Sequence, residues 1–147
     1  MSEAELAAFL DAQGTIVVGT NGPDGRPHLT ALWYVPSGTV VSAWTYAKSQ
    51  KVRNLERDPR ATLLAEDGAT YEELRGVMLH CAVEVIRDTE AVTELGFAVM
   101  ARYAPGHAHP TPEVHELVAA QAPKRVGLVF TPASVATWDH AKLAGTY

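Results

Sequence analysis

Short runs of apolar and β-branched residues alternate with turn-forming residues along most of this chain. Residues 15–20, 27–35, 39–44 and 61–65 form four such runs, and N-G-P-D-G at 21–25 separates the first two. Runs of this length predict β-strands, and the N-G-P-D-G cluster predicts a hairpin turn. We therefore expect three strands in a meander, with a fourth strand following a helix.

A longer run at residues 74–87 alternates strictly between two faces. Cys81 lies on the wholly apolar face, whereas His80 and Glu84 lie on the opposite face. This pattern predicts a strand with one buried side. We expect Cys81 to be an inert core thiol. His80 and Glu84 are expected to be surface polar residues, with an acid–base pair as the alternative.

Helical periodicity occurs at both ends of this strand-rich pattern. Ser2 with Glu5 predicts a capped N-terminal helix, and two further helices are expected after Asp88 and around 114–121. Further turns and closing strands are expected at 36–38, 125–131 and 134–138. The pattern predicts a mainly β, α+β fold: one antiparallel barrel domain over residues 1–147 with helices packed outside it.

The stretch 45–60 joins the third and fourth predicted strands. As a helix it turns Val52 and Leu55 inward and places Asn54 on one flank beside a lysine. Its basic residues are Lys48, Lys51, Arg53, Arg57 and Arg60. Ser49 is expected to open the helix, where unpaired N–H groups and the helix dipole favour an anion. Lys51 is thus a candidate phosphate ligand, and a solvated basic helix face is the alternative.

Four aromatic residues, Trp33, Tyr34, Trp44 and Tyr46, lie at the ends of two consecutive predicted strands, close to this helix. They fit either ordinary barrel packing or the walls of a slot for a flat ring. In the second interpretation, a phosphate attached to the ring reaches Lys51.

Composition limits the partners. The 147 residues include 12 basic and 17 acidic residues, for a net charge of −5. This argues against nucleic acid or a membrane surface as the main partner, and the local basic helix favours a small anion. The acidic start, the single cysteine and the lack of a membrane-spanning apolar run predict a cytoplasmic protein. Residues His107, His109 and His115 lack a carboxylate or cysteine to complete a metal site, so no metal is expected.

Two segments together carry a family resemblance: G-T-N-G-P-D-G-R-P-H-L-T-A-L-W-Y at 19–34, and K-x-x-N-L-x-x-D-P-R at 51–60. They resemble the split β-barrel flavin- and deazaflavin-dependent oxidoreductases related to pyridoxamine 5'-phosphate oxidase. The resemblance extends over nearly the whole chain. It implies a six- to seven-stranded antiparallel split barrel that forms homodimers, with one coenzyme in each groove at the subunit interface.

The resemblance also implies roles for individual residues. Lys51, with Lys48 and Ser49, would bind the coenzyme phosphate, Asn54 would support that contact, and Arg60 would meet the anionic tail or phosphate. The ring system would be lined by Thr30, Ala31, Leu32, Trp33, Ala43, Trp44 and Thr45. The resemblance requires no general acid from the chain; if one exists, the candidates are His28, Tyr34 and Tyr46.

Departures from the flavin mononucleotide (FMN) enzymes favour one branch. The second strand, H-L-T-A-L-W-Y-V, contains no arginine, and the chain ends A-G-T-Y. The expected cofactor is therefore the 8-hydroxy-5-deazaflavin coenzyme F420, which would give a hydride to a small, electrophilic, conjugated substrate. The alternatives are an FMN-dependent oxidoreductase of the same fold and a non-catalytic coenzyme- or ligand-binding protein.

Overall fold

A computed structural model describes residues 1–104 and 110–143 of the chain. This part contains the helices α1 Glu3–Ala12, α2 Gln50–Arg57, α3 Thr89–Tyr103 and α4 Pro112–Gln121. Its strands are β1 Ile16–Asn21, β2 Pro27–Leu32, β3 Val35–Ser37, β4 Val40–Tyr46, β5 Arg60–Asp67, β6 Arg75–Ile86 and β7 Arg125–Asp139. His107 and His109 of the predicted Pro-, Gly- and His-rich linker lie outside the described residues.

The strands form one sheet of seven in the order β2-β1-β5-β6-β7-β4-β3, and every neighbouring pair is antiparallel. The edge strands β2 and β3 are consecutive in sequence, so the three peptide steps from Leu32 to Val35 span at most about 11 Å. A flat sheet of this width would separate its edges by about 29 Å. The sheet must therefore curl into a barrel, as the strand pattern predicted.

Three predicted boundaries differ from the structure. The strand expected over 27–35 ends at Leu32, and Val35 begins β3. Residues 125–131 and 134–138 belong to the single strand β7, because β6 is long enough to pair with both halves. Pairing passes from Cys81↔Pro132 to His80↔Ser134, and the skipped Ala133 marks the bulge that resembled a loop in the sequence. The predicted turn at 36–38 is also wrong in part, since Val35–Ser37 pairs with β4 as β3.

The core fills the inside of the curled sheet. The apolar face of β6 is buried as predicted, and Cys81 is only 4% exposed within it. Burial raises the pKa of this thiol to about 11, which keeps it protonated and inert near neutral pH. Helix α1 covers part of this core with Leu6, Phe9 and Leu10, and the predicted capping box of Ser2 and Glu5 is present.

Helix α3 is fastened to the other elements by its last residues. Arg102 donates to Asp11 Oδ1 at 3.1 Å and to the carbonyl oxygens of Asp11 and Gln13 at 2.8 and 3.0 Å, which satisfies the C-terminal end of α1. Tyr103 Oη accepts from Tyr34 N and donates to Tyr34 O, both at 3.0 Å. These bonds hold α3 against the short connection between β2 and β3. Within the described residues, no helix is both long and apolar enough to cross a bilayer.

Candidate functional site

Helix α2 follows β4 after a three-residue turn and lies against the mouth of the barrel. Its predicted inward face is confirmed, because Val52 and Leu55 are 0% and 2% exposed. Lys51 and Asn54 are also buried, at 7% and 0% exposure, while the side chain of Arg57 faces solvent. The flank of α2 that carries Lys51 and Asn54 is therefore more deeply buried than the helical spacing of these residues predicted.

Four polar residues, Thr20, Thr45, Lys51 and Asn54, are buried beneath α2, and we call them the buried polar cluster. Lys51 Nζ donates to Thr45 Oγ1 at 3.1 Å, and Asn54 Nδ2 donates to Thr20 Oγ1 at 3.1 Å. Gln50 Nε2 in turn donates to Asn54 Oδ1 at 2.9 Å. These bonds tie α2 to β1 and β4 and fix the positions of both side chains.

The ammonium of Lys51 retains unused bonding capacity. It can donate three hydrogen bonds, yet Thr45 Oγ1 is the one partner it has among residues 1–104 and 110–143. Burial lowers the pKa of Lys51 because the charged form loses hydration. An anion bound here would be attracted to the ammonium group of Lys51 and would in turn stabilise its charged form.

Other polar atoms near this end of the barrel are buried without a partner. Ser49 is the N-cap of α2, as expected, and its side chain makes no capping hydrogen bond. Ser49 Oγ, Thr30 Oγ1 and His28 Nδ1 are all enclosed and unbonded within the described part of the chain. Because His28 pairs directly with Thr20, it shares the sheet face that carries the buried polar cluster. Such orphaned polar atoms are costly unless a ligand or water satisfies them.

The remaining predicted phosphate ligands are placed less favourably. Lys48 is exposed in the turn before α2. Arg60 is engaged by its neighbour: its Nε and Nη2 each donate to an Asp58 carboxylate oxygen at 2.8 Å. Arg60 instead lines a separate cavity of about 350 Å³ on the outer face of the sheet, together with Thr62 and His80. An anion would have to displace Asp58 to bind Arg60.

A larger cavity of about 560 Å³ lies between the sheet and helices α3 and α4. We call it the aromatic cavity. The sequence-predicted residues in its wall are Ala31, Leu32, Trp33, Trp44, Thr45 and Tyr46. The predicted convergence of the aromatic strand ends is confirmed for three of the four rings. Thr45 belongs to this wall and also accepts the hydrogen bond from Lys51, so the cavity and the buried polar cluster are adjacent.

Two predicted ring-lining residues lie elsewhere. Ala43 is fully enclosed in the hydrophobic core and takes no part in the cavity wall. Thr30 is on the sheet face that carries the buried polar cluster, because it pairs with Val18. Their side chains point to the opposite strand faces from Ala31 and Trp44. Leu32 and Thr45, which share those faces, are nearer the cavity and do line it.

The three proton-donor candidates are separated by the structure. Tyr34 is fully buried, its Oη donates to the carbonyl oxygen of Leu10 at 2.5 Å, and burial raises its pKa to about 12. It is a structural hydroxyl and lies outside the cavity wall. His28 lies near the buried polar cluster with Nδ1 unpaired. Tyr46, which is 54% exposed, lines the aromatic cavity.

Sequence reasoning missed the part of the cavity formed by the C-terminal half of the chain. These wall residues are Val99, Met100, Leu117, Gln121 and Arg125. The guanidinium carbon of Arg125 lies 4.6 Å from the ring centroid of Trp44 and 4.3 Å from that of Tyr46. The pairing of Tyr46 with Arg125 places them together, and a basic residue at the start of an apolar run was the available signal.

The other candidate chemistry is not supported. Glu84 and His80 are both exposed, as expected, and His80 Nδ1 lies 3.1 Å from Thr62 Oγ1. His115 packs edge-on against Phe97, with ring centroids 4.8 Å apart. Among the described residues, no group of three or more His, Cys, Asp or Glu side chains is arranged to hold a metal ion.

The chain is similar to known proteins in both sequence and structure. Residues 2–139 match the family model described as pyridoxamine 5'-phosphate oxidase. The crystal structure of the conserved hypothetical protein Rv2991 from Mycobacterium tuberculosis is 42% identical, with a TM-score of 0.89 over 98% of this chain and 88% of that one.

Two more distant structures share the fold. An F420 reductase is 22% identical, with a TM-score of 0.67 over 88% of this chain and 94% of that one. An FAD-binding protein from Mesorhizobium loti is 14% identical, with a TM-score of 0.69 over 93% and 94% of the two chains. The family match covers almost the whole chain and agrees with the seven-stranded split barrel. The chain therefore belongs to the pyridoxamine 5'-phosphate oxidase family.

Proposed function

We propose that this protein is an oxidoreductase that uses the deazaflavin coenzyme F420, with the coenzyme phosphate at Lys51 and the ring in the aromatic cavity. The observation that carries this proposal is the 3.1 Å bond from Lys51 Nζ to Thr45 Oγ1, because Thr45 also lines the cavity. A phosphate and a flat ring joined by a short linker require an anion site and an aromatic slot side by side.

The residues fit a phosphorylated ring coenzyme. The ammonium of Lys51 has free donor capacity, and the unpaired hydroxyl of Ser49 is enclosed at the start of α2. Together with the positive end of the helix dipole they suit a phosphate group. Trp33 and Trp44 supply aromatic surface for the ring.

In this arrangement the coenzyme and the protein chain have different roles in the reaction. The bound coenzyme supplies hydride transfer, while the chain supplies binding, orientation and exclusion of water. Lys51 would hold the phosphate end and Trp33 and Trp44 would contact the ring, while Met100 and Leu117 from α3 and α4 line the cavity. If the chain itself moves a proton, Tyr46 is the candidate whose side chain lines the cavity.

The assignment to F420 rather than FMN is supported by residues of β2. The FMN-binding relatives that the sequence resembles have an arginine in the second strand, whereas Pro27–Leu32 reads P-H-L-T-A-L. The second-strand positions that face the buried polar cluster are therefore His28 and Thr30, which carry no permanent charge. This leaves Lys51 as the fixed cation of the cluster.

We also propose that the protein forms a homodimer with the coenzyme at the subunit interface. One patch of the outer face of the sheet is apolar and exposed: Leu29 and Leu64 are 63% and 37% exposed beside Met78. Leu29 and Ala31 are on the same face of β2, and Ala31 lines the aromatic cavity. The apolar face thus reaches the edge of the cavity, so a second copy packed on it would help to enclose the coenzyme.

A titration of the purified protein with oxidised F420 and, separately, with FMN tests the cofactor, using the fluorescence of each chromophore. The expected result is tighter binding of F420, followed by oxidation of reduced F420 with conjugated substrates. Preferential binding of FMN, or binding of neither chromophore, would overturn the assignment. F420 binding without turnover against enones, quinones and nitroaromatics would instead indicate a binding protein.

The oligomeric state is tested by sedimentation at micromolar concentration. The expected species is a dimer, and Leu64→Glu is expected to yield a folded monomer because it buries a charge in the proposed interface. A monomeric wild-type protein would contradict the dimer.

A further inference from the structure

The aromatic cavity contains one cation that coenzyme binding at Lys51 does not use. Arg125 is half-buried at the start of β7, and its guanidinium lies between the rings of Trp44 and Tyr46. Its Nε donates to Gln121 Oε1 at 3.4 Å, which is a long bond. Among the described residues, no carboxylate lies within ion-pair distance of Arg125, and its two Nη groups have no hydrogen-bond partner.

Arg102 shows what a purely structural arginine looks like in this protein. It also stacks on two rings, with its guanidinium carbon 5.2 Å from the Tyr34 centroid and 5.5 Å from that of Tyr103. Its two Nη groups, however, are engaged by the Asp11 carboxylate and by backbone carbonyl oxygens at the end of α1, and only its Nε is buried without a partner. Arg125 also lies over two rings, but its Nε is the bonded nitrogen and its two Nη groups are the ones without a partner among the described residues. Contact with the two rings restricts the position of the guanidinium, and its Nη groups are left for a ligand.

The surroundings of Arg125 define the chemistry of that ligand. A guanidinium fork matches a carboxylate in bidentate geometry. The rest of the wall is flat or apolar, with Trp33, Met100 and Leu117 facing the same space of about 560 Å³. A cavity of this size accepts a small organic ligand beside a ring system. We propose that Arg125 is a specificity-determining residue that binds the carboxylate of a flat aromatic or conjugated acid in the aromatic cavity.

This inference deepens the proposed function and rests on it only in naming the acid as substrate. Lys51 holds the coenzyme phosphate at one end, and Arg125 anchors the acid on the side closed by α3 and α4. A conjugated acid bound by Arg125 would then share the aromatic cavity with the ring. Binding of the acid to the protein can be measured without the coenzyme.

The test compares trans-cinnamate with cinnamamide, which has the same shape without the charge. Binding of each to the coenzyme-free protein is followed by ligand-observed NMR. The expected result is that wild type binds the carboxylate about tenfold more tightly than the amide, as a charge-assisted bidentate contact implies. Arg125→Gln is expected to abolish the preference and Arg125→Lys to keep part of it. Arg26→Gln, which removes an exposed arginine in the β1–β2 turn, is expected to keep all of it.

Equal affinity of the wild type for the two ligands would overturn the inference, and this result needs no variant to fold. A preference that survives in Arg125→Gln, or that disappears in Arg26→Gln, would overturn it as well. The F420 titration is repeated on Arg125→Gln, where affinity is expected to change by less than about threefold. A loss as large as that in Lys51→Ala would make Arg125 a coenzyme ligand and overturn the acid subsite. Failure of the wild type to bind F420 would overturn the proposed function and leave the cinnamate result standing.

Discussion

The buried polar cluster and the aromatic cavity are adjacent, yet their side chains differ in burial and in hydrogen bonding. In the cluster, Lys51 and Asn54 are 7% and 0% exposed and each donates to a strand threonine. In the cavity, Trp33 and Tyr46 are 53% and 54% exposed. The cluster is a fixed feature of the barrel, whereas the cavity wall is open to solvent and to neighbouring molecules.

This difference separates two kinds of recognition. A buried cation with unused donors demands one particular partner, because solvent reaches it poorly and wrong partners leave it unsatisfied. Exposed aromatic rings accept many flat molecules, and only a directed group such as Arg125 selects among them. Under the proposed function, the invariable ligand at the cluster is the coenzyme phosphate, and the variable substrate shares the cavity with the coenzyme ring.

The largest expected effect is that of Lys51→Ala on F420 affinity. Loss of a charge-assisted contact in an enclosed site is expected to weaken binding by about 10- to 100-fold. Arg57→Ala is the matched control on the same helix, because Arg57 is exposed and donates to the carbonyl oxygen of Asn21 at 2.5 Å. It is expected to change affinity by less than about threefold. Equal effects of the two substitutions, measured by F420 fluorescence, would show that the buried cluster has no special role.

A second prediction concerns how rigidly the cavity wall is held. A Cβ at Gly96 would lie 2.5 Å from Cζ3 of Trp44, so α3 packs directly on this ring. Gly96→Ala is expected to destabilise the protein by about 1–3 kcal/mol, although alanine favours helices elsewhere. The shift of Trp44 should appear as a change in tryptophan emission. Gly14→Ala, with no atom within 4 Å of the added Cβ, is the control. Unchanged stability and emission in Gly96→Ala would contradict this prediction, because they would show that the Trp44 side chain moves aside without an energetic cost.

The fold and the inward face of α2 were predictable from local sequence, whereas the burial of Thr20 against Asn54 was not. Strand alternation and short turns determine which faces are apolar, and the spacing of Val52 and Leu55 determines how α2 is oriented. Both depend on residues that are close in sequence, so the local sequence pattern is enough to predict them. The bulge at Ala133 was harder to predict, because the length of its partner β6 decides whether β7 continues through Pro132.

The cavity was only half predictable. Its strand side was indicated by aromatic residues at two strand ends. Its other side needs the pairing of Tyr46 with Arg125, residues 79 positions apart, and the packing of α3 on Trp44. Tyr34 shows the same limit, since its sequence position beside Trp33 suggests the cavity while its side chain reaches the carbonyl oxygen of Leu10. Neither contact follows from the pattern of a single segment.

A third prediction tests how much stability the folded protein loses by burying the ammonium group of Lys51. Because burial lowers the pKa of Lys51 from 10.5, the folded state disfavours its charged form. Lys51→Met is therefore expected to raise the free energy of unfolding by about 1 kcal/mol at neutral pH, while losing F420 affinity. The gain should narrow as the pH rises toward 10.5, where the wild-type lysine loses its charge in the folded state. Chemical denaturation across this range provides the measurement, and a Met variant less stable than wild type would contradict the expected cost.

The smallest expected effect separates a structural hydroxyl from a functional one. Tyr34→Phe removes the bond to Leu10 O, which retains a contact at 3.4 Å from Arg102 Nη2, so the expected loss is about 1 kcal/mol. Since burial raises the pKa of Tyr34 from 10.0 to about 12, the wild-type advantage should be complete below pH 10. It should disappear as the pH rises toward 12, because ionisation then favours the unfolded state. Tyr46→Phe, which alters the cavity wall instead, is expected to leave this pH dependence intact. F420 affinity and turnover should be unchanged in Tyr34→Phe, and reduced hydride transfer with normal binding would identify Tyr34 as a proton donor after all.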